Sequence, residues 1–507
     1  MEDSFTLVLN ENRINVDKGK LASKSLYFAA LFSHNFSDSS SKEHIINYDI
    51  DLWTLQSFVN WIHDDDHLFN INCHSRKGSM IQFLKNNFVE LLNLLQLSTL
   101  FVVGELTNEI VEIIVLHWLS PEKVIDIWVL SQKLGIKVLQ DICLSVCLDR
   151  FKALPAFALM KLSNDNIIQL LESVNITFRV GRMYDAMTSK HLSVNVVQER
   201  QPKFIQGTIV YEKYPDATKV AHLYTWDGST LSKHVQLKTI QESRKHFIGM
   251  QVASRGYSVY VIGGEMGLGS GIFNDIIWRY CLLSKKWYFQ DKLPMSRRHM
   301  IAAFIENKLY IVGGSGRHRR LLNRVDILDI HTGKWKKGAD IPEYVSDTPP
   351  HCVLNGKLFV LSSYVYIYYP EDDCWQSVFR IYPIDHAVDA FLTPVSILFF
   401  TGDDSRGKVL SRIDVVKDFV CQGEECLKGQ VKDNTITEMD IVHEDDFCEL
   451  RYAKVAGAGI MVVNTNCDEK YEYLRLHSEK RKDFENCFIP KFGCFNIMDP
   501  NALYDTV

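Results

Sequence analysis

The sequence predicts a multidomain chain with an α+β first segment, an α-helical middle and an all-β second half built from repeats. Three observations carry this. A unit of about 50 residues recurs, its two clearest copies with a short apolar strand stopping at a Gly pair, then a second strand, a polar turn and a Trp. Upstream, apolar side chains fall at helical spacing from Leu21 onward. From Phe204 the text changes to short strands broken by tight turns.

The elements follow in order. Residues Phe5 to Val16 alternate as strand, turn and strand around Glu11-Asn12, and residues 21–32 (LASKSLYFAALF) read as one helix. A Ser/Asp-rich loop, a short strand from His44 to Tyr48 and a helix over 53–63 come next. Pro121 suits a helix start, where its missing N–H would be unpaired anyway. Residues 124–154 give two amphipathic helices punctuated at Gly135. Two more follow, with Ser163 or Asn164 as the cap of the last.

In the second half, one good unit runs through Gly263-Gly264 to Trp287 and the next through Gly313-Gly314 to Trp335. The Gly pair supplies positive φ where backbones crowd, and the Trp supplies apolar surface that a thin sheet lacks. Other copies are eroded. The first has no Gly pair, and its Trp226 falls on a strand. A later one has Ser362-Ser363 before Trp375, another keeps only Gly402, and the last has Asn464-Thr465. The spacing of Gly pair and Trp resembles the kelch repeat, one four-stranded blade of a β-propeller, and the text has room for five or six blades.

Composition bounds the rest. The chain has 507 residues, 46% apolar and 23% charged, as in ordinary globular proteins. A formal charge of −6 offers no whole-chain argument for nucleic acid or an anionic membrane. The 12 Cys are scattered without paired CxxC spacing, so free thiols in a reducing compartment are expected; Cys143 and Cys147 share one helical face, and Cys421 and Cys426 flank a loop. The first residues are acidic and lack a cleavable apolar segment. The apolar run 88–119 is interrupted by Glu90, Glu105, Glu109 and Glu112, so packed helices are expected and not a membrane span.

The order strand, helix, strand, helices in residues 1–119 resembles a BTB (POZ) domain, with LASKSLYFAALF matching its most recognisable helix; Asp17-Lys18-Gly19 stands where many members carry a His. Residues 120–203 resemble a shortened BACK helical domain, and 204–507 a kelch propeller. The whole resembles the BTB–BACK–kelch family, and its eroded repeats are most similar to the poxvirus kelch-like proteins. That resemblance implies a non-catalytic, cytoplasmic adaptor of a cullin–RING ubiquitin ligase, acting in a host cell as a virulence factor. It implies a homodimer through the BTB domain, with Phe5, Leu7, Leu21, Leu26, Phe28 and Phe32 at the interface, or else simply in the domain's own core. It places the hydrophobic-x-Glu cullin element at Phe36-Ser37-Asp38, with Asp for Glu and Phe36 as the anchor.

The resemblance also places target capture on the propeller face carrying Arg244, Arg297, Arg298, Ser315, Arg317, Arg319 and Arg320. Guanidiniums there suit an acidic or phosphorylated segment through bidentate hydrogen bonds, although Glu265 would oppose it. Solvated basic loops are the plainer reading of any one Arg. The run Tyr364, Tyr366, Tyr368 and Tyr369 suits packing between blades. An actin-associated scaffold is the competing class, and an enzyme is a third. The sequence has no GxSxG, P-loop or HExxH, and the Gly-rich run 263–271 lies between strands, so neither cofactor nor metal is expected.

Overall fold

The computed structural model describes residues 4–33, 41–63, 83–84, 86–175, 202–213, 219–226, 231–237, 247–267, 269–349, 351–354, 356–380, 390–392, 396–403, 407–414, 441–442, 450–455, 459–464, 471–475, 478–484 and 489–506. The chain divides into two units. The first is Met1–Arg200 together with Tyr504–Val507, and the second is Gln201–Leu503.

The first unit opens with the hairpin β1 (Ser4–Leu9) and β2 (Asn12–Asp17), turned at Asn10, which takes φ 54°. β3 (Glu43–Ile45) adds parallel to the other edge of β1. Alternate residues of β1, Phe5 and Leu7 among them, face the core. Where one helix is expected over 21–32 there are two, α1 (Lys18–Lys24) and α2 (Leu26–Phe32). Ser25 separates them in an extended conformation. Its hydroxyl donates to the Phe101 carbonyl at 2.6 Å and accepts from Phe28 N at 3.2 Å, capping α2. A buried serine with both roles satisfied outweighs one more helical turn.

α3 (Leu52–His63), α4 (Phe88–Leu100) and α5 (Gly104–His117) complete this layer, and Phe28 and Phe101 pack with ring centroids 4.8 Å apart. Then come α6 (Val124–Lys133), α7 (Lys137–Asp149), a one-turn α8 (Ala156–Leu159) and α9 (Asn164–Glu172). Gly135 breaks α6 from α7 with φ 69°, and Ser163 caps α9 by accepting from Asn166 N at 3.3 Å. Cys143 and Cys147 are buried on α7, and burial pushes both thiols up, leaving them poor nucleophiles. Among the described residues no helix is long and apolar enough to cross a membrane.

Among the described residues the second unit has six four-stranded antiparallel sheets. The first is β4 (Phe204–Lys213), β5 (Lys219–Trp226) and β6 (Leu231–Gln236), joined by the last strand of the chain. A two-residue strand, β7 (Phe247–Ile248), precedes the second sheet, β8 (Gln251–Arg255), β9 (Ser258–Ile262), β11 (Ile276–Cys281) and β12 (Lys286–Lys292), and pairs with β10 (Glu265–Met266). The third is β13 (Ile301–Ile305), β14 (Lys308–Ser315), β15 (Leu321–Asp329) and β16 (Lys334–Gly338). The fourth is β17 (His351–Leu354), β18 (Lys357–Leu361), β19 (Tyr364–Tyr369) and β20 (Cys374–Arg380).

The fifth sheet is β21 (Ala390–Leu392), β22 (Ser396–Asp403), β23 (Gly407–Asp414) and β24 (Ile441–Val442). The sixth is β25 (Leu450–Val455), β26 (Gly459–Asn464), β27 (Tyr471–Arg475) and β28 (Ser478–Phe484). The chain ends with β29 (Ile489–Met498), which pairs antiparallel with β4 and so completes the first sheet from the opposite end of the sequence.

Period-two alternation divides the side chains between neighbours. Ile301, Ala303, Tyr310 and Val312 pack toward the fourth sheet with Leu358, Val360, Tyr366 and Tyr368. Ala302, Leu309 and Ile311 pack toward the second with Tyr260, Ile262 and Ile277. The third sheet is therefore buried on both faces, which is why its strands are near-continuous apolar runs. Of the tyrosine run, Tyr366 and Tyr368 are packing residues, while Tyr364 is exposed.

Candidate protein-binding surfaces

In an antiparallel four-strand meander, the connections after the second and fourth strands leave from the same end. In the second and third sheets these connections are residues 263–275, 293–300 and 316–320. They are knitted together. Gly264 N donates to Arg297 O at 3.0 Å, and Arg298 and Ser315 exchange both backbone bonds, at 2.9 and 2.8 Å. This crowding is what the Gly pairs serve. A Cβ on Gly314, whose φ is 93°, would stand 2.6 Å from Arg298 O, and one on Gly263 would stand 2.8 Å from Arg297 O.

The repeat Trp residues tie one sheet to another. Trp335 Nε1 donates to Asp291 Oδ2 in β12 at 3.0 Å, and Trp375 Nε1 to Ala339 O at 2.9 Å. Trp287 packs beside Tyr280, with centroids 5.1 Å apart, against the core that the first two sheets share.

The basic residues expected on this face separate into three groups. Arg297 is a correction: it is fully buried. Its guanidinium pairs with Asp326 and donates to Gly313 O and Arg324 O at 3.3 and 3.4 Å, and Nε donates to Met295 O at 3.2 Å. Burial lowers its pKa against the opposing pull of Asp326. With all three of its nitrogens bonded internally and no exposed surface, it has nothing to offer a ligand. Arg298 is also buried, its Nε 3.3 Å from Glu265 Oε2, but its Nη1 has no hydrogen-bond partner among the described residues. Ser315 is buried as well.

Arg317, Arg319 and Arg320 are exposed on a short turn in which His318 and Arg319 both take φ 57°. Arg319 reaches back to the Gly-rich loop, where a Cβ on Gly269 would stand 4.0 Å from its Nη2. Arg244 lies outside the described residues. Sequence reasoning missed the apolar part of this face: Ile272 and Met295 are exposed on these connections, Leu321 is exposed at the start of β15, and Tyr344 is exposed on the connection that follows β16. Ile272, Met295 and Tyr344 each sit in a loop, where no periodicity marks them.

In the first unit the expected dimer residues behave differently from one another. Phe5, Leu7, Leu21 and Phe28 are buried in the unit's own core, so they are corrected from interface to core. Phe32 is half-buried against Phe5, with centroids 4.7 Å apart. Leu26 is 70% exposed, and with Tyr27 and Val102 it forms an apolar patch, Leu26 N donating to Val102 O at 3.3 Å. Tyr27 and Val102 were not expected there; Val102, at φ 52°, sits on a turn that sequence spacing does not reveal. Phe36 and Asp38 lie outside the described residues. No cluster of three or more potential metal ligands occurs among those described.

Comparison with known proteins agrees with this layout. A BTB/POZ domain model matches residues 4–100, and a kelch motif model matches residues 296–342. The second match covers the stretch from the buried arginines to the end of β16. One similar protein, an F-box/kelch-repeat protein of Arabidopsis thaliana, is 26% identical over 138 residues, 25% of this chain and 33% of the relative. Kelch-like protein 40 of Mus musculus is 26% identical over 154 residues, 29% of this chain and 24% of the relative. The aligned parts thus span about a third or less of these relatives' lengths. A BTB/POZ domain followed by kelch sequence in one chain defines a class of multidomain protein-binding chains. This chain combines a BTB/POZ match with a kelch match, the combination that the BTB–kelch family has.

Proposed function

We propose that the chain is a substrate-recruiting adaptor of a cullin–RING ubiquitin ligase. Its BTB domain binds the cullin scaffold, residues 120–203 act as a shortened BACK domain, and the six sheets form a kelch propeller that captures a target protein. The observation that carries the reading is the presence in one chain of a BTB match and a kelch match, the latter spanning a face where loops of adjacent sheets are hydrogen-bonded together. Ring closure is supported by β29 pairing with β4 and by the leading strands β8, β13 and β17 lying against one another, with β29 against β8.

The chain performs no bond chemistry in this reading. It raises the effective concentration of the target beside the ligase. The target's carboxylates or phosphates meet Arg317, Arg319, Arg320 and the spare Nη1 of Arg298, and its apolar side chains meet Ile272 and Leu321. Phe36 and Asp38 serve the cullin, the exposed patch of Leu26, Tyr27 and Val102 offers it further apolar surface, and a second copy pairs through the BTB domain. The setting is the cytoplasm, that of a host cell if the chain is viral, where it redirects host responses.

Co-purification of the full chain with a BTB-binding cullin tests the reading. Wild type is expected to retain the cullin and Asp38→Lys to lose it. A wild-type chain that fails to hold the cullin but bundles actin would replace the adaptor with a cytoskeletal scaffold.

A further inference from the structure

The last residues of the chain return to the first unit, and their contacts there are specific. Tyr504 lies under Lys137 Nζ, which is 4.2 Å from its ring centroid, and its hydroxyl accepts from Lys137 and donates to Asp141. Lys137 and Asp141 are one turn apart on α7 and pair with each other at 2.9 Å. Beyond the end of α9, Val174 N donates to Asp505 O at 3.1 Å, and Ser173 forms an antiparallel bridge with Thr506. The tail therefore holds two separate places, the first turn of α7 and the backbone just after α9.

Two features mark this as a built site. Lys137 opens α7, where the helix dipole disfavours a cation, so a good local reason for a lysine there is missing. Stacking on Tyr504 and pairing with Asp141 supply the reason. The backbone N–H of Val174 sits between two buried polar residues, Ser173 and Asn175, and the Asp505 carbonyl accepts from it.

We propose that Tyr504–Thr506 is a clasp, a three-residue ligand carried by the chain itself, whose docking sets the stability of the segment from α7 to Asn175. The helices concerned precede the clasp by more than three hundred residues, so during synthesis this segment reaches full protection only once residues 504–506 are made.

Hydrogen–deuterium exchange on three preparations tests this: wild type, a chain ending at Leu503, and Tyr504→Phe. The truncation is expected to speed exchange in 137–149 and 173–175 by about tenfold, ~1.4 kcal/mol of local opening. Tyr504→Phe keeps the ring but loses the hydroxyl bonds, and is expected to speed 137–149 by roughly threefold while leaving 173–175 near wild type. Residues 301–312 serve as internal reference. Unchanged exchange in both variants would overturn the proposal. If the truncated chain does not fold, unchanged exchange of 137–149 in Tyr504→Phe alone overturns it.

Discussion

The buried pair between Arg297 and Asp326 gives the sharpest quantitative expectation. Arg297 is 0% exposed and its side-chain donors all go to Asp326 or to backbone carbonyls of the third sheet and its preceding loop. Asp326→Asn keeps the shape of the side chain and removes its charge. An uncompensated guanidinium then remains in the interior, at a cost of about 3–5 kcal/mol. The second partner of Asp326, Arg324, is 36% exposed, so losing that contact adds at most about 1 kcal/mol. Denaturant unfolding followed by exchange at residues 313–326 measures the loss in the sheet unit without assuming that the whole chain unfolds in one step. Replacing both partners together, Arg297→Met with Asp326→Leu, is expected to recover most of it, since the interior then holds no charge. A loss under about 1 kcal/mol for Asp326→Asn would refute the view that Arg297 is a structural pin.

Further expectations follow from the same geometry. Gly314→Ala combines positive φ with a Cβ 2.6 Å from a carbonyl and should cost about 3 kcal/mol or more, whereas Gly256→Ala, with φ 55° and open space, should cost only about 1 kcal/mol; thermal melts of the two compare them directly. Trp335→Phe loses the bond to Asp291 and should cost about 1–2 kcal/mol, read from the same melts. Ser25→Ala removes a cap and leaves the Phe101 carbonyl short of a donor, for about 1–2 kcal/mol, with faster exchange in α2 as the measurement. Desolvation holds the half-buried His351 imidazole below its ordinary value. The unfolded chain therefore takes the proton first: its contribution is whole above the ordinary imidazole pKa and is lost as pH falls through the lowered one. Unfolding at pH 7.5 and 5 should show a smaller acid loss in His351→Gln.

How much of this was legible depended on whether a residue's job is local. Gly135 and Ser163 each act within a few residues of themselves, and the sequence placed both helix breaks. Ser25 acts on Phe101, far along the chain, so the helix over 21–32 could not be seen to split. Arg297 and Arg298 are adjacent and look alike in the text, yet one is sealed by Asp326 and the other keeps a donor in hand. Only the meander, which brings β15 beside the loop after β12, distinguishes them. The exposed Ile272 and Met295 were missed for the converse reason. A lone apolar residue in a loop reads as noise until the topology puts it next to others.

The eroded repeats show which part of the motif the architecture needs. At Gly263-Gly264 and Gly313-Gly314 a long connection must leave the sheet while the leading segment of the following sheet presses against it, and all four glycines take positive φ. In the fourth sheet that connection shrinks to Ser362-Ser363, closed by Ser362 N donating to Tyr364 O at 3.0 Å, and neither serine takes positive φ. With no long loop to turn out there is no crowding to relieve, so the demand for glycine disappears while β18 and β19 still pair. The strand ladder and the apolar alternation therefore define a blade, and the Gly pair is a property of the loop it launches. Loss of the pair then marks a change in the binding face more than a failing fold. In the proposed adaptor, recognition is concentrated on the long connections of the second and third sheets, which carry Arg317, Arg319, Arg320 and the exposed Ile272 and Met295.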